Sequence, residues 1–417
     1  MVRAGDGSTS RLAVEGGLAG GDVSPVAVVF GANASGKSTV GAAMKYVQRI
    51  VRQSALREAG TPLPVEPFLL DAESASRPFS AEVWFTWKGR EYRYSFKIGA
   101  GVVLAEELKQ VVVGQRRTVR TLFSREVVDG VDVITPSSFL LGAKRSIAAA
   151  TRPNSLFLSK AAQENYKPLT EVYEWFVEPA PAFEELDDDW SDPRMLLLET
   201  DLEFRAWLIN LLRQADLGVT GVSATRPAGK PPSHPVPMVA SGADADASAA
   251  AAPRIHPRYK RPVLIHYSDP GRRVGGEIPW RLESAGTRQL WDLAYPVFQS
   301  LDSGRALVVD EMTALHPLVV RAILEMFQCE QTNPNNAQLI FTSHDMSLLG
   351  SFAGSGYMLD RDQIWFTEKD SSGATELIPL TDFHPRKDED IQRAYLQGRF
   401  GAVPSVGTLS NMVRAAA

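Results

Sequence analysis

The chain has 417 residues, of which 44% are hydrophobic and 22% are charged, and its formal net charge is −5. This composition is typical of a globular protein with one large or several smaller domains. This net charge does not exclude a nucleic-acid partner, but it does not indicate one either. No apolar run approaches the roughly 18 residues that a membrane helix needs. The N-terminus lacks the features of a signal peptide, so we expect a cytoplasmic protein.

The single cysteine, Cys329, excludes an intrachain disulfide and a cysteine metal cage. We interpret it as a small side chain on a helix rather than a nucleophile. Residues 1–24 are rich in Gly, Ser and Ala and are predicted to be poorly ordered, with at most a weak strand at 11–15. The next residues, Pro25 to Phe30, form an apolar run that predicts a buried parallel strand.

Residues 31–38 read Gly-Ala-Asn-Ala-Ser-Gly-Lys-Ser and match G-x-x-x-x-G-K-[ST], the pattern of a phosphate-binding P-loop. Apolar residues recur at helical spacing from 38 to 52. A chance match is the alternative in a chain with 32 glycines. The strand before the motif and the helix after it argue against chance, because a P-loop requires both.

The residue types of the motif suit phosphate chemistry. Gly31 and Gly36 let backbone N–H groups turn toward phosphate oxygens, at the positive end of the following helix. Lys37 can neutralise the β- and γ-phosphates, and the hydroxyl of Ser38 can hold Mg²⁺. The predicted ATP contacts in this stretch are Gly31, Asn33, Ala34, Ser35, Gly36, Lys37, Ser38 and Thr39.

The next part of the chain favours β-structure. Alternating residues from 81 to 98 predict a β-hairpin that turns around Lys88-Gly89-Arg90. Further strands are predicted at 102–108, 110–113 and 118–125, which together make an antiparallel β subdomain. Residues 154–159 predict another strand, with Gln163 just past its end.

Helical spacing follows at 169–176 and 201–215. Residues 227–254 consist mostly of Pro, Ala, Gly, Asp and Ser, and this composition predicts a flexible insertion. Regular structure is predicted to return with a strand at 262–267.

A second stretch that is rich in candidate motifs begins with Glu-Ser-Ala-Gly-Thr at 283–287. A helix is predicted to follow at 288–301. The run Ala306-Leu-Val-Val-Asp310-Glu311 then fits the Walker B pattern, a buried strand that ends in two acids. Asp310 can hold magnesium, and Glu311 can polarise the attacking water as a general base. The alternative, that both acids only solubilise a strand end, is weak because they follow a P-loop in the required order.

A third strand is predicted at 338–343 and ends at His344-Asp345. A histidine at the carboxyl end of a parallel strand can reach the γ-phosphate and the attacking water. Alone, such a histidine would more often be structural, but beside a P-loop and a Walker B strand we favour a catalytic role.

Together these motifs resemble an ABC-type ATPase head of the SMC-like kind, and specifically the prokaryotic AAA-domain ATPases of abortive infection. The resemblance rests on residues 31–38, 154–159, 283–287, 308–311, 315–317, 342–345 and 395–404. It implies an α/β P-loop NTPase fold with an antiparallel β subdomain and a helical lobe. The implied ATPase head spans 25–362, divided into a P-loop half at 25–163, a helical lobe at 164–287 and a Walker B half at 288–362. A C-terminal segment occupies 363–417.

The resemblance also implies roles for individual residues, with ATP and Mg²⁺ as cofactors. Ser284 and Gly286 would belong to the signature loop, which caps the ATP of a second copy in a homodimer or higher oligomer. Gln163 would be the glutamine that senses magnesium, and His344 would be the switch histidine. The D-loop region, Leu315-His316-Pro317, would lie at the dimer interface. The chain departs from the family pattern in three respects. No aromatic residue for adenine stacking is visible before Phe30, no clear first strand is visible at the N-terminus, and the step from Glu311 to Leu315 is one residue shorter than the family pattern.

The cellular role implied by the resemblance is antiphage defence, in which the ATPase controls a separate effector, such as a nuclease, encoded nearby. The tail at 351–417 is shorter than the order of 100 residues that a nuclease module needs. Its acids at 388–390 suit a solvated turn. An SMC-like DNA-repair ATPase that acts on DNA is the alternative. A transporter subunit is the weakest reading, since the Leu-Ser-Gly-Gly-Gln signature is missing.

Overall fold

The computed structural model describes residues 23–71, 73–112, 118–177, 194–215, 218–224, 262–269, 272–352 and 356–402. The predicted weak strand at 11–15 and the predicted insertion at 227–254 lie outside these residues. Two compact units divide the chain. The first comprises Met1–Ala180, Ser300–Thr313 and Val320–Ala417, and the second comprises Pro181–Gln299 and Ala314–Val319. The domain bounds expected from the sequence stay a prediction.

The described strands, in chain order, are β1 (Val26–Gly31), β2 (Phe79–Trp87), β3 (Arg90–Gly99), β4 (Val102–Val112), β5 (Thr118–Val128), β6 (Val131–Pro136), β7 (Val219–Ala224), β8 (Pro262–Asp269), β9 (Arg272–Pro279), β10 (Ala306–Val309), β11 (Gln338–Ser343), β12 (Ser351–Phe352), β13 (Gly356–Tyr357), β14 (Ile364–Lys369) and β15 (Thr375–Pro379). The described α-helices are α1 (Lys37–Gln53), α2 (Lys144–Ala150), α3 (Phe157–Gln163), α4 (Lys167–Val177), α5 (Arg194–Thr200), α6 (Leu202–Gln214), α7 (Ala285–Ser303), α8 (Pro317–Gln328) and α9 (Ile391–Leu396).

A five-stranded sheet in the order β10-β11-β1-β14-β15 forms the centre of the first unit. The first four of these strands are parallel, and β15 returns antiparallel to β14. Every residue of β1 is buried, which explains its unbroken apolar run. Because the parallel strands end at the same edge of the sheet, the residues that follow β1, β10 and β11 converge there. The α/β fold predicted from the sequence is confirmed.

Helix α1 connects this edge to the rest of the first unit. It begins directly after Gly36, whose φ of 101° lies in the left-handed region. Its buried residues include Val47, Ile50 and Val51, at the spacing of one helical face. Gly41 allows a close approach to the sheet, because a Cβ atom there would lie 3.3 Å from Cγ1 of Val308 in β10.

Strands β2 to β6 form an antiparallel sheet in sequence order. The predicted hairpin at 81–98 is confirmed as β2 and β3, which turn at Lys88 and Gly89, both with positive φ. The two strands predicted at 102–108 and 110–113 are instead one strand, β4. The predicted break near residue 109 is a register shift between Leu108 and Lys109 in the pairing of β4 with β5, and β4 continues through it.

One face of this antiparallel sheet packs against α3 and α4. The ring centroids of Phe123 and Phe157 lie 4.8 Å apart, and those of Tyr94 and Phe176 lie 5.4 Å apart. All four side chains are fully buried. This aromatic packing explains why the antiparallel sheet is part of the same compact unit as α1 rather than a separate module.

The strand predicted at 154–159 is wrong, because Phe157–Gln163 is helix α3. The buried carboxylate of Glu106 accepts hydrogen bonds from the backbone N of Phe157 (2.6 Å) and of Leu158 (3.0 Å), the N–H groups that a helix start leaves without partners. Burial raises the pKa of Glu106, while Arg125, 3.8 Å away, opposes that rise. The apolar run at 156–158 is therefore buried as a helix end in the core.

The C-terminal residues complete the central sheet. Strands β14 and β15 lie within the segment expected at 363–417, and β14 pairs directly with β1. The ring of Phe366 in β14 stacks on Tyr395 at 5.4 Å and on Phe400 at 5.3 Å. Tyr395 also contacts Phe30, the penultimate residue of β1, at 6.3 Å. These rings support the strand that leads into the P-loop.

The second unit contains α5, α6, the three-stranded sheet β7-β8-β9 and most of α7. The helix predicted at 201–215 is confirmed as α6, and the Asp201 side chain caps it by accepting from the backbone N of Phe204 (2.9 Å). The ring of Phe204 packs against Tyr295 and Phe298 of α7. Helix α7 begins at Ala285, three residues before the predicted start, so part of the expected signature loop is helical.

Candidate nucleotide site

The loop between β1 and α1 has the tight turns that the motif predicts. Ala34 and Gly36 both have positive φ, at 63° and 101°. The hydroxyls of Ser35 and Thr367 in β14 lie 2.6 Å apart, and Thr375 in β15 donates to the Ser35 carbonyl at 3.0 Å. A Cβ atom on Gly36 would lie 2.0 Å from the Thr375 hydroxyl oxygen. Position 36 therefore requires glycine for two reasons: its φ is positive, and a Cβ atom there would clash with Thr375.

Lys37 lies inside the loop and is almost fully buried. Its ammonium donates to the carbonyl oxygens of Gly31 (3.0 Å) and Ala32 (2.8 Å). Burial lowers the pKa of Lys37, whereas the negative charges of Glu311 and Asp310 oppose that change. The ammonium is thus held among P-loop atoms and close to both Walker B acids.

Asp310 follows β10 and meets the start of α1. Its Oδ1 atom accepts hydrogen bonds from the hydroxyl of Ser38 at 3.1 Å and from the hydroxyl of Thr342 at 2.7 Å. The structure therefore brings two of the three predicted magnesium ligands, Ser38 and Asp310, together. Hydroxyl and carboxylate oxygens suit Mg²⁺, which takes few protein ligands and completes its shell with water and phosphate oxygens. The donor set fits that ion.

Glu311 and His344 also meet, with His344 Nε2 and Glu311 Oε1 3.0 Å apart. Both side chains are partly exposed, as groups that act on a bound substrate must be. Glu311 has a φ of 60°, an uncommon backbone conformation for a residue with a side chain. Strain of this kind persists where surrounding contacts hold it and is frequent at functional sites.

Thr342 is a residue that the motif analysis did not assign to the site. Its hydroxyl donates to Asp310 and accepts from the backbone N of Glu311 at 3.0 Å. The side chain is buried at the carboxyl end of β11, two residues before His344. The signal that could have found it is a hydroxyl residue closing an apolar strand that leads to a predicted site histidine.

Gln163 is not brought to this edge of the sheet. It ends α3, and its side chain accepts from Lys160 at 3.1 Å. Helix α3 contacts α1 through the hydroxyl of Ser159, which donates to the carbonyl of Val51. Val51 lies 14 residues beyond Lys37, a rise of about 21 Å along the helix. The role of Gln163 in ATP and magnesium binding stays a prediction that this position does not support.

The predicted signature residues belong to the second unit. Ser284 precedes α7 and caps it, since its hydroxyl accepts from the backbone N of Thr287 at 3.0 Å. Gly286 lies in the first turn, where a Cβ atom would approach the Ala314 carbonyl oxygen to 2.9 Å. The backbone N of Ala314 in turn donates to Gln289 (3.0 Å). The signature residues are thus anchored to the stretch just before Leu315-His316-Pro317.

The fold and the site define a P-loop ATPase. A family model described as "AAA domain, putative AbiEii toxin, Type IV TA system" matches residues 26–350, well over half of the chain. The chain belongs to this family, as the sequence motifs predicted. Nucleotide binding follows from that membership. A search of the curated proteins finds no match. Within the described residues, no helix combines the length and the apolar character required to cross a membrane.

Proposed function

We propose that the chain is a switch subunit that binds and hydrolyses Mg²⁺-ATP, dimerises on ATP, and controls a separate effector in a prokaryotic abortive-infection defence system. The observation that carries the proposal is the convergence of Ser38 with Asp310 and of Glu311 with His344 at one edge of the sheet. These pairs match the needs of phosphoryl transfer to water, which are charge neutralisation and a positioned nucleophile.

Each residue has a defined part in the proposed hydrolysis. Lys37 binds the β- and γ-phosphate oxygens. Ser38 and Asp310 would hold Mg²⁺, which would supply further neutralisation of the phosphate charge. Glu311 orients the attacking water and accepts a proton from it. His344 holds the Glu311 carboxylate through the 3.0 Å contact, and its proposed second role, as the switch histidine, is to contact the γ-phosphate.

Hydrolysis is tested by phosphate release in the wild type and in Lys37→Ala and Glu311→Gln. Lys45→Ala is a matched control, because Lys45 is an exposed lysine on the same helix, outside the motif. We expect both site variants to lose most activity and the control to keep it. Phosphate release that is undiminished in Lys37→Ala would refute the assignment of the P-loop as the catalytic nucleotide site.

The proposed dimer places the Ser284 and Gly286 loop of one copy over the ATP of the other. Support comes from the resemblance to ABC-type heads and from the exposure of Ser284 at the start of α7. Glu311→Gln should retain ATP and accumulate the dimer, whereas Ser284→Arg should block closure. Light scattering with and without Mg²⁺-ATP measures this. If Glu311→Gln keeps one mass under both conditions and Ser284→Arg hydrolyses ATP normally, the dimer mechanism is wrong.

The proposed effector is a separate protein, such as a nuclease, encoded nearby, and the proposed compartment is the cytoplasm. The family description, which names a toxin and a toxin–antitoxin system, supports a paired protein. The genes beside this one provide the test. A nuclease or toxin-like neighbour supports the proposal, whereas repair genes with an exonuclease would favour the SMC-like DNA-repair ATPase and direct binding of nucleic acid.

A further inference from the structure

The metal side of the nucleotide site fixes the direction in which a bound nucleotide extends. In the proposed ATP site, Ser38 and Asp310 would hold Mg²⁺ at the γ-phosphate end; the two side chains are in contact, and Asp310 follows β10. In the sheet order β10-β11-β1-β14-β15, β10 and β14 lie on opposite sides of β1. A triphosphate with its γ end at Asp310 crosses the P-loop, so its nucleoside leaves toward β14 and β15.

The hairpin formed by β14 and β15 makes the wall of the P-loop on that side. Since β14 runs parallel to β1, its turn extends beyond the sheet at the same edge as the P-loop. Thr367 and Thr375 touch Ser35, as described above. The Asp370 carboxylate fixes the turn by accepting from the backbone N of Ser372 and of Ala374. This wall is therefore held by hydrogen bonds both to the P-loop and within its own turn.

An apolar segment lies against the turn of this hairpin. A Cβ atom on Gly373 would lie 3.0 Å from a methyl carbon of Leu70 and 4.0 Å from the ring of Phe68. Yet Leu69 and Leu70 are 86% and 69% exposed. Phe68, Leu70 and Gly373 thus form what we term the apolar ledge, at the edge of the P-loop away from the metal side. Exposing adjacent leucines to water is unfavourable, so a partner that covers them gains free energy.

We propose that the apolar ledge is the base-binding subsite, on which the purine ring of the nucleotide packs against Leu70. The inference rests on the proposed ATP function and names the part of the site that the sequence left without a stacking residue. A purine ring suits this surface because its faces are flat and apolar, and Gly373 leaves the turn without a side chain. The ledge takes the place of an aromatic residue before Phe30.

The test compares ATP with inorganic tripolyphosphate, which lacks base and ribose. Leu70→Ser removes the apolar contact without adding charge, and Leu56→Ser is the control because Leu56 is similarly exposed (72%) just beyond the far end of α1. Isothermal titration calorimetry with Mg²⁺ gives each affinity, and thermal melting confirms that each variant folds. We expect Leu70→Ser to weaken ATP about tenfold, or about 1.4 kcal/mol, and to leave tripolyphosphate unchanged.

The outcomes separate this inference from the proposed function. If the wild type binds neither ATP nor tripolyphosphate, the P-loop assignment itself fails. If the wild type binds ATP and Leu70→Ser binds it equally well, the base lies elsewhere and the inference is overturned. It is also overturned if Leu70→Ser weakens both ligands alike, because that result means a disturbed P-loop.

Discussion

Replacing Thr342 with valine tests whether the end of β11 holds the proposed general base, Glu311, in place. Valine keeps the shape of threonine but removes the hydroxyl, which contacts both Asp310 and the backbone of Glu311. The partly buried N–H of Glu311 would lose this acceptor, at a cost of about 1–3 kcal/mol. Glu311 would then relax from its φ of 60°, and its carboxylate would leave the position set by His344.

If that free energy is lost from the transition state, kcat falls by about 5- to 160-fold, since 1.36 kcal/mol corresponds to a factor of ten. The Kd for ATP should change little, because Lys37 and the P-loop backbone are untouched. Phosphate release under saturating ATP measures the first quantity, and equilibrium binding measures the second.

Thr342→Ser is the matched control, since serine restores the hydroxyl and loses only a methyl group. We expect it to recover most of kcat. The reasoning is refuted if Thr342→Val turns over ATP within about twofold of the wild type. It is refuted equally if Thr342→Ser is as impaired as Thr342→Val, because the methyl group rather than the hydroxyl would then matter.

Three further results are expected. Lys37→Ala should weaken ATP binding about 10- to 100-fold in calorimetry, the loss of charge-assisted hydrogen bonds worth about 1.5–3 kcal/mol. ATP affinity of the wild type should fall as pH rises through the pKa of Lys37, because only the ammonium attracts phosphate. Burial places that pKa below the ordinary 10.5, and a flat affinity up to pH 10.5 would contradict this. Arg125→Met should destabilise the fold by about 3–5 kcal/mol in urea unfolding, because Glu106 and Asp132 lose their cation and two backbone carbonyls lose a donor. Burial already raises the folded pKa of Glu106, so the loss should shrink as pH falls toward the ordinary carboxyl range, and a pH-independent loss would contradict this.

The phosphate end of the site follows from the sequence because its determinants are local. A glycine loop, a pair of acids and a histidine each directly follow an apolar strand. Parallel strands end at the same edge of a sheet. Gly31, Asp310 and His344 could therefore be predicted to converge. A hydroxyl at the end of β11 marks Thr342, but its partners Asp310 and Glu311 could not be predicted, since they depend on the exact register of β11 beside β10.

Other features depend on contacts distant in sequence. The run at 154–159 resembles a strand by composition, and only the buried Glu106 carboxylate, some 50 residues earlier, shows why a helix starts there. The packing of the C-terminal residues onto β1 was likewise not predicted. The local sequence around Phe366, Tyr395 and Phe400 does not indicate whether these rings join the core of the central sheet or belong to a separate C-terminal segment.

The hairpin wall of the P-loop has a consequence for biosynthesis. Ser35 contacts Thr367 and Thr375, which are translated more than 330 codons after it. The strand that carries the P-loop also packs on Tyr395. A nascent chain therefore has the complete nucleotide motif long before the residues that shape it have left the ribosome. We therefore expect a chain to bind nucleotide only late in synthesis, once Thr367, Thr375 and Tyr395 have left the ribosome.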